Sequence, residues 1–131
     1  MKKSIKILII VVSTIVVIIT AAKFMMRQSV NNALKKQVNV EIDMNKVKDG
    51  TYIADSDGGM VKVQVRVEVK DHKIKDIELL KHENGKGKPA EVIIDDMIQQ
   101  NTDNVDGVSG ATTSSKTIRN AVNKALQQGL E

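Results

Sequence analysis

Val61, Val63, Val65, Val67 and Val69 alternate without a break with Lys62, Gln64, Arg66, Glu68 and Lys70. A period of two predicts a strand with one face buried and one in water. Asp71-His72-Lys73 predicts the turn that ends it, and Ile74, Ile77 and Leu79 predict a return strand. The step from 74 to 77 breaks the period, so a bulge or twist is expected there. Upstream, Thr51 to Ala54 reads as a first short strand and Asp55-Ser56-Asp57-Gly58-Gly59 as the turn after it. Further along, the period changes. Ala90, Ile93, Ile94, Met97 and Ile98 fall on one side of a helix, as do Ile118, Ala121, Val122, Ala125 and Leu126. The pattern predicts an α+β fold: an antiparallel sheet of at least three strands packed against two amphipathic helices. Val105 is expected to add a short strand between those helices.

The N-terminal pattern is of another kind. Ile7 to Ala22 carries no charge and is mostly Ile and Val. At ~1.5 Å per residue this run spans about 24 Å, short of a ~30 Å hydrocarbon layer. Adding Ile5 and Phe24 to Met26, with Lys6 and Lys23 snorkelling, brings it near a full span. Apolar all round, it cannot be enclosed by so small a domain. A cleaved signal peptide, with Thr20-Ala21-Ala22 as its small-residue end, competes with an uncleaved transmembrane helix. The run is long for a signal peptide, which favours the anchor. Lys2, Lys3 and Lys6 precede the span and Lys23 and Arg27 follow it, a slight bias that puts the domain on the extracytoplasmic side. The expected organisation is a membrane anchor or signal segment at 1–26, a stalk at 27–48 and a domain at 49–131. Val38, Val40, Ile42 and Met44 alternate near the end of that stalk, which predicts a strand or extended lead-in.

Composition narrows the chemistry. The 131 residues include no cysteine, so thiol redox chemistry, disulfides and cysteine-ligated clusters are excluded. The net charge of +4 is spread among interleaved acids and bases, and only 2% of residues are aromatic. Nothing stacks bases, so nucleic acid is not an expected partner. His82-Glu83 invites an acid–base reading. With no nucleophile beside it in sequence, His82 reads better as a surface residue, and His72 as a turn residue. No His, Asp or Glu cluster has metal-ligand spacing, so neither a metal site nor a catalytic set is expected.

The most informative stretch is Asp106-Gly107-Val108-Ser109-Gly110-Ala111-Thr112-Thr113-Ser114-Ser115. It has little bulk and five hydroxyls, and it runs into the last amphipathic helix. Two readings stand side by side. Ser114 would serve as an ordinary N-cap. Alternatively, free N–H groups and the helix dipole would favour a phosphate. Neither a P-loop nor a dinucleotide fingerprint is present.

This stretch resembles the flavinylation motif of the FMN-binding domain family, small domains related to the covalent-flavin subunits of sodium-pumping NADH:quinone reductase and the Rnf complex. That motif reads Asp, two or three variable residues, Ser or Thr, Gly, Ala, Thr. The resemblance runs from about Asp49 to Leu126. It implies that Thr112 carries FMN through a phosphoester installed by a Mg- and FAD-dependent flavin transferase. It makes Asp106 the acidic residue of the transferase signature, which Ser109, Gly110 and Ala111 complete. Thr113 is counted with the cofactor-binding residues, and Lys86 and Lys88 are candidates to approach the cofactor. Tyr52 is a candidate to stack on the flavin or, equally, a core residue. The implied function is a membrane-anchored extracytoplasmic electron carrier whose partner is a membrane quinone, a redox protein or an extracellular acceptor. The alternatives are a flavin-dependent reductase of a small substrate and a membrane-anchored module that is never flavinylated.

Overall fold

The computed structural model describes residues 2–83 and 85–130, with the side chains of residues 85–88 outside the described set. Its elements are α1 (Lys2–Lys36), β1 (Gly50–Asp57), β2 (Lys62–Lys70), β3 (Lys73–Glu83), α2 (Ile93–Gln100) and α3 (Thr112–Gln128). Short 3-10 helices occupy Met44–Lys46 and Gly85–Val92.

The strands form one antiparallel sheet in the order β1-β2-β3. Asp71 and His72 both take positive φ, 53° and 61°. A two-residue loop of that kind matches the twist of the strands it joins. On β3 the register slips twice. Glu68 faces Asp76 while Val69 faces Ile74, and Gln64 faces Lys81 while Val65 faces Leu79. Lys75 and Leu80 are therefore unmatched. The first of these bulges is the one implied by the spacing of Ile74 and Ile77.

β1 runs three residues beyond the expected strand because Asp55, Ser56 and Asp57 pair with Gln64, Val63 and Lys62. The inward position of Ser56 is buried but polar, and its hydroxyl donates to Asn120 Oδ1 at 2.6 Å. A polar inward residue hid this part of the strand from an apolar pattern. The turn shrinks to Gly58–Val61, closed by Gly58 N–H to the Val61 carbonyl at 2.7 Å.

The valine face of β2 is fully buried. Each such valine contributes roughly 1.5 kcal/mol or more by leaving water. α3 packs across β1 and β2, and α2 packs on β3. Ala121 and Ala125, both fully buried, let α3 approach the sheet closely, while Ile118, Val122 and Leu126 fill the space around them. Ile93 and Met97 of α2 close the other side.

Of the two readings open for the lead-in the structure takes the extended one, and the short strand expected at Val105 is absent. Val38 to Ile42 is an extended lead-in without sheet pairing, because α3 side chains satisfy its backbone. Asn123 accepts from Val40 N–H at 3.1 Å and donates to the Val40 carbonyl at 2.7 Å. Val105 is buried in a turn, its N–H donating to the Asp103 carbonyl at 3.1 Å.

α1 is one helix of 35 residues, about 52 Å long. Its most apolar 18-residue window has a mean hydropathy of 2.8 and no buried residue. Ser13 and Thr14 donate to the Ile10 carbonyl and Thr20 to that of Val17, at 2.7–2.9 Å. Every hydroxyl of the apolar run is thus satisfied inside the helix, as a hydrocarbon environment requires. By length and composition α1 can cross a membrane once.

Candidate functional site

α3 begins three residues earlier than an N-cap at Ser114 would allow. Its first helical residue is Thr112, its cap position is Ala111, and no side chain caps it. The reason lies in the turn before it. Ala111 N–H donates to the Val108 carbonyl at 3.0 Å. Gly110, the third residue of that turn, has φ +83°. This is the left-handed position of a type II turn, which favours glycine. Ser115 locks the turn from behind. Its hydroxyl donates to the Ala111 carbonyl at 2.8 Å and accepts Val108 N–H at 3.0 Å.

The outcome is an exposed Thr112 at the positive end of a 17-residue helix whose N-terminal amides no side chain occupies among the described residues. Beside it lies an open groove of about 330 Å³ lined by Gly107, Val108, Ser109, Thr112, Ser115, Lys116 and Arg119. The first turn of α3 carries no acidic residue. Arg119 is held in place: its guanidinium donates to Asn104 Oδ1 at 2.8 Å and to the Asp103 carbonyl at 3.3 Å.

Of the residues named from sequence, Ser109 and Thr112 meet in this groove and Gly110 shapes its rim. Asp106 is exposed on the approach to the turn, outside the groove lining. Ala111 is buried, and Thr113 is half-buried on another side of the helix, against Gly58. Lys86 and Lys88 lie outside the described side chains. Tyr52 sits at the other end of α3, beside Gly129, with its hydroxyl donating to the Lys48 carbonyl. Seventeen residues of helix, about 25 Å, separate it from Thr112, so it is not a wall of this groove. The sequence reading missed Lys116 and Arg119. Their spacing was the available signal, since i+4 and i+7 from Thr112 share its helix face.

His82 is also not the surface residue expected. Its side chain is 4% exposed. Nδ1 lies 2.9 Å from Glu91 Oε1 and Nε2 lies 3.0 Å from Ser114 Oγ. A carboxylate can only accept, so in the neutral ring Nδ1–H donates to Glu91 and Nε2 accepts from Ser114. The bonding order is that of a hydrolase relay, but Ser114 is 2% exposed and no substrate can reach it. The three residues instead staple the end of β3 and the 3-10 segment to the first turn of α3. Sequence alone places Ser114 32 residues away from His82 and offers no sign of the contact.

Fold and site together define a small α+β domain on a membrane-type helix, presenting a threonine hydroxyl at a basic helix N-terminus. Residues 58–127, more than half of the chain, match the FMN-binding domain, and the chain belongs to that family. It is thus a flavoprotein domain that takes FMN. No curated protein matches the chain at a meaningful level.

The groove fits the phosphate end of FMN. An added Cβ at Gly110 would meet nothing within 4 Å, so the approach to Thr112 is open. Lys116 and Arg119 supply two positive charges on that side. Among the groove residues none is aromatic, so the ring end would rest on an open surface.

Proposed function

We propose that the protein is a membrane-anchored, extracytoplasmic flavoprotein that carries FMN covalently on Thr112 and relays electrons to a redox partner. The observation that carries this reading is the exposed Thr112 hydroxyl at the N-terminus of α3, in a groove with Lys116 and Arg119. A modifying enzyme must reach the whole recognition segment. Asp106, Gly107, Ser109, Gly110 and Thr112 are all exposed on one contiguous segment that runs into α3. Ala111 alone is buried, which fixes the loop to the core.

In this reading Thr112 Oγ1 is the ester oxygen, and Lys116 and Arg119 offset the charge of the phosphate. The bound flavin supplies one- and two-electron redox chemistry. The protein supplies the tether and the electrostatics. A phosphoester also prevents loss of the cofactor on the outer side of the membrane. The flavin transferase that needs Mg and FAD, and a membrane quinone or redox protein, are the partners this function requires. The lysine bias before the apolar run of α1 supports the extracytoplasmic side.

The test is the intact mass of the protein from its native membrane, with peptide mapping. The expected result is a gain equal to FMN less one water on the peptide holding Thr112, lost in Thr112→Val. An unmodified Thr112 in native protein would overturn the covalent carrier and leave reversible FMN binding.

A further inference from the structure

The β1–β2 hairpin ends in Gly58, Gly59 and Met60, and its tip reaches α1. A Cβ on Gly59 would lie 3.0 Å from Val30 Cα and 3.3 Å from the Ser29 carbonyl oxygen. A side chain at Gly59 would crowd the helix backbone, and its φ of +88° disfavours one. Met60 then projects beside α1, where it shares an apolar hollow with Met26, Arg27, Val30 and Asn31. It is 48% exposed. Hairpin tips are ordinarily built from polar residues and glycine, and Met60 contributes nothing to the buried core.

The height of this tip follows from α1. Its apolar run ends at Phe24, Met25 and Met26, all strongly exposed. Val30 lies four residues further on, a rise of about 6 Å. The headgroup layer on each side of a bilayer is about 5–7 Å thick. The tip therefore lies at headgroup level if α1 spans. Arg27 lines the hollow with Met60, Lys62 follows Met60 by two residues, and Lys23 lies one turn before Arg27 on α1, the pairing of apolar residue and cations that interfacial segments use.

We infer that the β1–β2 hairpin tip is a second membrane contact: Met60 inserts into the bilayer interface and holds the domain down beside its own anchor. The consequence reaches the site. A Cβ on Gly58 would lie 3.3 Å from Thr113 Cγ2, so the first turn of α3 rests on the same tip. Thr112 is thereby kept near the membrane surface. The placement favours an electron carrier resident in the membrane over one free in solution. This inference rests on α1 being a span and, for its redox consequence, on Thr112 being the carrier.

The chain has no cysteine, so single-cysteine variants of the full protein label uniquely. Val16→Cys, Met60→Cys and Lys73→Cys, each carrying an environment-sensitive fluorophore, are reconstituted in vesicles of phosphatidylcholine and phosphatidylglycerol. Lys73 is the control, exposed at the far end of β2 and β3. The expected result is blue-shifted emission and quenching by nitroxide lipids at Met60 as well as Val16, with Lys73 open to aqueous iodide. Lipid contact at Val16 with Met60 as aqueous as Lys73 would overturn the docking and leave the anchor standing. An aqueous Val16 would overturn the anchor and the docking together. Neither outcome depends on flavin loading, which the mass measurement reports separately.

Discussion

Removing the imidazole of His82 tests whether the staple behind Thr112 acts as a unit. In His82→Leu an apolar side chain of similar bulk replaces a ring that is 4% exposed. Glu91, at 37% exposure, turns to water. Ser114 cannot, since it is 2% exposed. Leaving a buried hydroxyl without its partner costs about 1–3 kcal/mol. Rotation of the hydroxyl toward the carbonyl one turn back would set the low end of that range. For a domain of this size each kcal/mol lowers the melting midpoint by about 4–8 °C. Ser114→Ala alone leaves Nε2 of His82 unpaired and is expected to destabilise by about 1 kcal/mol. The decisive variant is the double one. Once His82 is leucine, Ser114→Ala removes a hydroxyl that no longer has a partner, and the change should be neutral or stabilising. Urea unfolding of the full chain in detergent micelles reads this out through Tyr52, the single tyrosine in a chain without tryptophan. The same loss from Ser114→Ala in both backgrounds would mean no coupling, and the staple would be refuted.

The remaining predictions concern the turn, the hairpin and the groove. Gly110→Ala should destabilise by about 1–2 kcal/mol through backbone conformation alone, because its Cβ meets no atom within 4 Å; an equal loss in Gly110→Asn, a residue that tolerates positive φ, would contradict that cause. Gly58→Ala should lose about 1–3 kcal/mol by overpacking, since its Cβ would fall 2.3 Å from Thr117 Oγ1; a wild-type urea midpoint would show the hairpin can move off α3. Lys116→Glu should lower the fraction of protein carrying covalent flavin, measured by intact mass, while stability stays within about 0.5 kcal/mol. Undiminished loading would remove Lys116 from the phosphate site.

The strands and helices were legible because burial on one face writes a period into the chain. The valines of β2 and the apolar positions of α3 are buried as their spacing required. The readings that failed share a cause. Ser56, Asn120 and Asn123 are buried polar residues that hydrogen-bond to partners 64 to 83 residues away in sequence. Such partners leave no local pattern, so β1 read too short and the lead-in at Val38 to Ile42 was open to being read as a strand. His82 failed in the same way, since its burial depends on Ser114 and Glu91 arriving from two other elements.

The candidate site divides along the same line. Sequence by itself determined that a small, hydroxyl-rich segment enters a helix, and that Thr112 occupies the acceptor position of a flavinylation-like motif. The first is a local fact, set by residue size and by the helical period; the second is what the resemblance to the family's motif implies. Only the tertiary structure decided which neighbours Thr112 has. It opened the helix at Thr112 rather than after Ser114, turned Lys116 and Arg119 into the groove and sent Tyr52 to the opposite end of α3. It also set the hairpin tip against α1. Contacts between elements depend on how buried faces choose one another, and that choice is made by the packing of the whole chain.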